Sequence, residues 1–137
     1  MGYLSEFQKT YALPSLYDVP VEHAQMVIGI RHILCCRLVN ADPLHALIQR
    51  FRTVGPVREL LHIADVICTV WPGKFVLMRP CCRSISPDET ILLAALSAAQ
   101  SRDFATFRSK SSDMLTPDAA RTLFTAVMLY HTEIVAK

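Results

Sequence analysis

The sequence predicts an all-α fold: a single compact, bundle-like domain of five to six helices with one short extended segment. Three helix starts support this, each a capping residue followed by proline: Asp42-Pro43, Ser86-Pro87 and Thr116-Pro117. A side-chain oxygen at the N-cap accepts a first-turn N–H, and proline at the first helical position lacks the N–H that would have no partner. Beyond these starts, apolar residues recur at helical spacing. Composition agrees. Of 137 residues, 52% are hydrophobic and 19% charged, too apolar for a disordered chain and long enough for one core without disulfides.

Residues 1–20 read as an N-terminal arm, broken by Pro14 and Pro20. Tyr3, Phe7, Tyr11, Leu13, Leu16 and Tyr17 make it apolar, so it is expected to pack on the domain or on a second subunit. Residues 21–137 form the helical domain. Val21 to Asn40 is apolar almost all round, which predicts a central, enclosed helix. Asp42-Pro43 opens a second helix whose Leu44, Leu47, Ile48 and Phe51 share one face. Gly55-Pro56 is expected to end it and to open a third helix reaching about Val70. That helix carries a core stripe (Val57, Leu60, Leu61, Ala64, Ile67, Cys68) and a polar stripe (Arg58, His62, Asp65, Thr69).

Trp71-Pro72-Gly73 is a turn. Lys74 to Arg79 is short, apolar and partly β-branched, so it reads as extended chain closed by Pro80. Ser86, Pro87 and Glu89 have the spacing of a capping box, and this helix runs to about Ser101. Asp103 caps a short turn carrying Phe104 and Phe107, and Ser109 to Asp113 is a polar loop. Thr116-Pro117-Asp118 opens a last helix to about Ala136.

The net charge of +2 is too small to predict a nucleic-acid or membrane-surface partner. The first twenty residues lack the basic start, apolar run and cleavage site of a secretory signal. Met1-Gly2 is followed by Glu6 where myristoylation expects Ser or Thr. Met26 to Val39 is interrupted by Arg31, His32 and Arg37 and is too short to span a bilayer. Of five cysteines, four form the adjacent pairs Cys35-Cys36 and Cys81-Cys82. Neighbouring cysteines rarely bridge each other, so the expectation is reduced thiols in a cytoplasm.

Several landmarks together resemble a family of small uncharacterised helical proteins of alphaproteobacteria. They are Ala12-Leu13-Pro14, Ile30-Arg31-His32, Asp42, Phe51, Gly55 and Arg58-Glu59-Leu60. The most specific part is Pro80-Cys81-Cys82 followed by Ser86 and Glu89. The likeness covers roughly residues 12 to 96; members often carry a third consecutive cysteine where this chain has Arg83. It implies a helical fold and a bacterial cytoplasmic setting, and no activity.

Cys81 and Cys82 lie ahead of a helix N-terminus and between Arg79 and Arg83, an arrangement that favours a thiolate. One reading is a redox-sensing or metal-binding thiol pair; the other is that small, soft side chains fill a tight junction. His32 and Cys36, four apart on one helix, could join Cys81 or Cys82 around a zinc ion, although adjacent cysteines depart from the usual ligand spacing. His62 and Asp65 could form a general-base pair or merely a solvated face. No nucleophile elbow or phosphate loop is present. Residues 43–70 have the outline of a helix-turn-helix, but Glu59 and Asp65 on the second helix would face phosphate, which argues against DNA. The leading expectation is a non-catalytic module that binds a protein partner, a second copy of itself included. The alternative is the thiol site.

Overall fold

The computed structural model describes residues 14–136; the sequence-based reading of residues 1–13 as part of an arm lies outside them. Of the described chain, 72% is helical, the short 3-10 turn included; the six α-helices are α1 (Val21–Leu38), α2 (Leu44–Phe51), α3 (Val54–Val70), α4 (Pro87–Ser101), α5 (Phe104–Ser111) and α6 (Pro117–Val135). A single 3-10 turn, Leu16–Asp18, precedes them. The only β-type pairing among the described residues is an isolated antiparallel bridge between Ser15 and Ser84. The all-α prediction therefore holds.

The helix starts form as their chemistry dictates. Asp42 Oδ1 accepts from Leu44 N–H at 2.9 Å, Asp103 Oδ1 from Thr106 N–H at 3.1 Å and Thr116 Oγ1 from Ala119 N–H at 3.2 Å. At α4 the capping box is complete: Ser86 Oγ accepts from Glu89 N–H at 3.0 Å and Glu89 Oε1 from Ser86 N–H at 2.9 Å. The helix ends differ from expectation. The residue that turns the chain after α2 is Arg52, in the left-handed region at φ 63°, whereas Gly55 lies inside the first turn of α3. Asn40 and Arg102 take the same conformation after α1 and α4. The expected polar loop over 109–113 begins later, because α5 continues through Ser111, which is fully buried.

The core centres on α3 and α6, which pack most extensively on each other, with α4 against α6 and α1 against α3. Ile63, Ala64 and Ile67 of α3 and Ala120, Leu123 and Val127 of α6 are fully enclosed. α1 was expected to hold this central place. It buries one face, through Met26, Val27, Ile30 and Ile33, while the opposite face (Ala24, Ile28, His32, Cys35) is only half-buried and full exposure is confined to its ends, at Val21, Arg37 and Leu38. An all-round apolar sequence thus marks a helix with a second apolar face, not one surrounded on every side.

The segment between α3 and α4 is extended but forms no strand. Its ladder partner is the start of α4. Val76 donates its N–H to Asp88 Oδ2 at 2.7 Å and accepts from Ser86 Oγ at 2.5 Å, and Met78 donates to Glu89 Oε2 at 3.4 Å. Trp71 and Phe75 meet edge to face, 4.7 Å between centroids, and anchor it to the core.

Candidate functional site

Arg31 interrupts the apolar run of α1, and the structure explains why. Its side chain is completely buried, and a buried guanidinium requires a carboxylate and a partner for every N–H. Nε donates to Glu89 Oε2 at 2.7 Å and Nη2 to Glu89 Oε1 at 2.8 Å. The remaining donors reach backbone carbonyls of the loop before α4: Nη1 to Cys82 at 2.7 Å and to Arg79 at 3.3 Å, and Nη2 to Ser84 at 2.6 Å. A guanidinium has five N–H donors, and these contacts engage them all. One side chain therefore fixes the backbone on both sides of Cys81-Cys82.

Three backbone hydrogen bonds also hold the same loop. Cys82 N–H donates to the Arg79 carbonyl at 2.9 Å, closing a tight turn around Pro80 and Cys81. Leu16 N–H donates to the Arg83 carbonyl at 2.7 Å, and Ile85 N–H to the Pro14 carbonyl at 2.8 Å. Residues 14–16 of the expected arm thus pack on their own domain. The Arg83 guanidinium lies over the Tyr17 ring, 5.5 Å from its centroid, a favourable cation–π position.

Within this fixed loop Cys81 is exposed and Cys82 half-buried. The packing reading fails for Cys81, whose side chain fills no junction. The expected contribution from the α4 N-terminus is already committed elsewhere. Glu89 N–H and Thr90 N–H have acceptors in Ser86, and the Asp88 and Glu89 carboxylates complement that end of the helix dipole. The cations remaining near the thiols are side chains. Arg79 and Arg83 are exposed beside them.

Cys81 opens onto a groove of about 700 Å3 that is also lined by His32, Gln49, Arg50, Arg52 and Pro80. No carboxylate among the described residues lines it. Among the described residues neither Arg50 nor Arg52 is in an ion pair, in contrast to Arg37, which meets Asp65 at 2.7 Å. The structure brings His32 and Cys81 to one groove, and His32 Nε2 lies 3.8 Å from Cys36 Sγ. The zinc set weighed as an alternative is not assembled: among the described residues no three His, Cys, Asp or Glu side chains are placed to hold one ion. The His62–Asp65 pairing also does not form. Asp65 turns to Arg37 of α1 instead, while Thr69 hydroxyl donates to the Asp65 carbonyl at 2.9 Å.

A second groove, of about 740 Å3, lies between the 3-10 turn and α4 and is mostly apolar. His23 borders it. Its Nε2 meets Ser97 Oγ at 3.0 Å, its Nδ1 is buried with no partner among the described residues, and burial holds its pKa below the ordinary value. A third, smaller groove of about 330 Å3 runs between Leu34 and Leu38 of α1 and Phe75 and Leu77 of the extended segment, with Arg37 and Lys74 alongside.

Arg31 and the basic groove were missed in sequence. The available signal was an arginine in the middle of a helix apolar almost all round, which requires a carboxylate partner if buried; no local pattern names Glu89 as that partner. Comparison with protein-family models, with curated proteins and with solved structures finds no match. No helix among the described residues is long and apolar enough to cross a membrane.

Proposed function

We propose that this protein is a non-catalytic regulatory module whose responsive group is the Cys81 thiol. One observation carries the reading: an exposed cysteine stands on a loop whose flanking carbonyls are fixed by a fully buried arginine. Burying a charge pair costs several kcal/mol of desolvation that its attraction must offset, and a loop needed only for connection requires no such device. The exposed thiol can exchange with a small disulfide, and the mixed disulfide would then sit on a surface of defined shape. Half-buried Cys82 keeps its place in the turn.

The test is site-resolved thiol mapping of the reduced full-length protein after brief exposure to a neutral disulfide, 2-hydroxyethyl disulfide. Cys81 is expected to be modified first and to be restored by reductant. Cys68 is the internal comparison, because it is also exposed but lies on a regular helix, in the groove with Lys74 and with Arg37, whose charge the Asp65 carboxylate already offsets. Exchange proceeds through a transition state with negative charge spread over the sulfurs, which neighbouring arginines favour and a carboxylate disfavours. Modification of Cys68 ahead of Cys81, or of neither, overturns the reading.

A protein-binding reading rests on a different surface. Leu38 and Val39 stand 78% and 73% exposed at the end of α1, beside the small groove formed with Phe75 and Leu77. An apolar edge of this kind supports a protein contact, with a second copy of the chain as the first candidate. Light scattering on the protein and on Leu38→Glu tests it. A dimer lost in the variant supports it, and a monomer at every concentration removes self-association.

A further inference from the structure

We infer that the groove beside Cys81 is an anion subsite that selects acidic low-molecular-weight disulfides for exchange with that thiol. The inference rests on Cys81 being the responsive group and adds what it responds to. Two exposed arginines, Arg50 and Arg52, neither in an ion pair among the described residues, line the same groove as Cys81, with the Gln49 amide and the His32 ring between α2 and α1. Arginine presents a planar fork matched to a carboxylate, and among the described residues no acidic side chain lines the groove. A groove of about 700 Å3 is the size that holds a small molecule. The ligand class is therefore a disulfide bearing carboxylates a few bonds from its sulfurs.

The chemistry balances without an additional oxidant. The Cys81 thiol loses its proton to solvent, and the thiolate attacks one sulfur of the disulfide. The ligand's S–S bond breaks as the new S–S bond to Cys81 forms, and the departing thiolate takes up a proton. The carboxylates of the half that remains stay on Arg50 and Arg52. Cys81 is oxidised, and the released half of the ligand is reduced.

The experiment measures Cys81 exchange rates with three disulfides: anionic 3,3′-dithiodipropionate, neutral 2-hydroxyethyl disulfide and cationic cystamine. Each rate is divided by that of a neutral free-cysteine derivative, which removes differences in intrinsic reactivity. The expected order is anionic, then neutral, then cationic. The anionic preference should be about tenfold or more at low salt and should shrink as salt screens it. Arg50→Gln/Arg52→Gln should bring the ratio of anionic to neutral rate down to that of the free-cysteine derivative. Equal normalised rates for all three probes in the unaltered protein overturn the inference without using any variant. So does a variant that slows neutral and anionic probes alike. Failure of Cys81 to react with any probe overturns the underlying thiol reading instead, so the two failures are distinguishable.

Discussion

Arg31 on α1 and Glu89 on α4, 58 residues apart, form a bidentate ion pair of 2.7 and 2.8 Å in the core. Glu89 also closes the capping box of its own helix, and Arg31 also holds three carbonyls of the Cys81-Cys82 loop. A single pair thus links the position of α1, the start of α4 and the shape of the thiol loop.

Removing one partner leaves an uncompensated buried charge. Arg31→Met is expected to destabilise the fold by about 3–5 kcal/mol in urea unfolding. Arg37→Ala, which breaks the exposed pair with Asp65, should change stability by less than about 1 kcal/mol. Equal effects at the two sites would mean that the buried pair is not intact in solution.

The caps should rank by how much each one holds. Ser86 is buried and serves both the α4 N-terminus and the Val76 carbonyl, whereas Thr116 is exposed and caps only α6. Both alanine variants should lose stability within the usual range of about 0.5–2 kcal/mol for a cap. Ser86→Ala should lie at or above the top of that range and Thr116→Ala near the bottom.

His23 gives the fold a dependence on mild acid. Desolvation lowers its pKa from the ordinary 6.5, partly opposed by the nearby Glu22 carboxylate. Between the two values the unfolded chain binds a proton that the folded chain refuses, so stability falls as pH falls. The contribution is complete above about pH 6.5 and declines below it toward the folded pKa. Melting temperatures from pH 8 to 5 should therefore fall more steeply for the native protein than for His23→Gln; parallel curves would contradict the assignment.

Tyr130 is buried with its hydroxyl unpartnered among the described residues, and desolvation raises its pKa well above the ordinary range. Its ring meets Phe51 edge to face, 6.4 Å between centroids. Tyr130→Phe keeps the ring and removes a buried polar atom that has no partner. It should be neutral or stabilising in thermal unfolding; a clear loss would reveal a hydrogen bond.

Helix starts were legible in the sequence because capping is local. Asp42, Ser86, Asp103 and Thr116 each bond within three residues. Helix ends were less so: Arg52 and Arg102 adopt a left-handed conformation that sequence reasoning assigns first to glycine. The centre of the bundle was misplaced because apolarity on all sides does not say which face finds a partner. Cys81 was singled out for its flanking arginines, yet the side chain that fixes its loop comes from position 31. That dependence is tertiary and carries no spacing signature.

Amide hydrogen exchange over residues 79–86 tests most directly whether Arg31 fixes the thiol loop. If it does, the Cys82, Ile85 and Ser86 amides, each hydrogen-bonded, exchange slowly and only through openings that also free the α4 start. Arg31→Met then brings them to the rate of an unstructured loop. Fast exchange of these three amides in the native protein, with α4 itself protected, would contradict it.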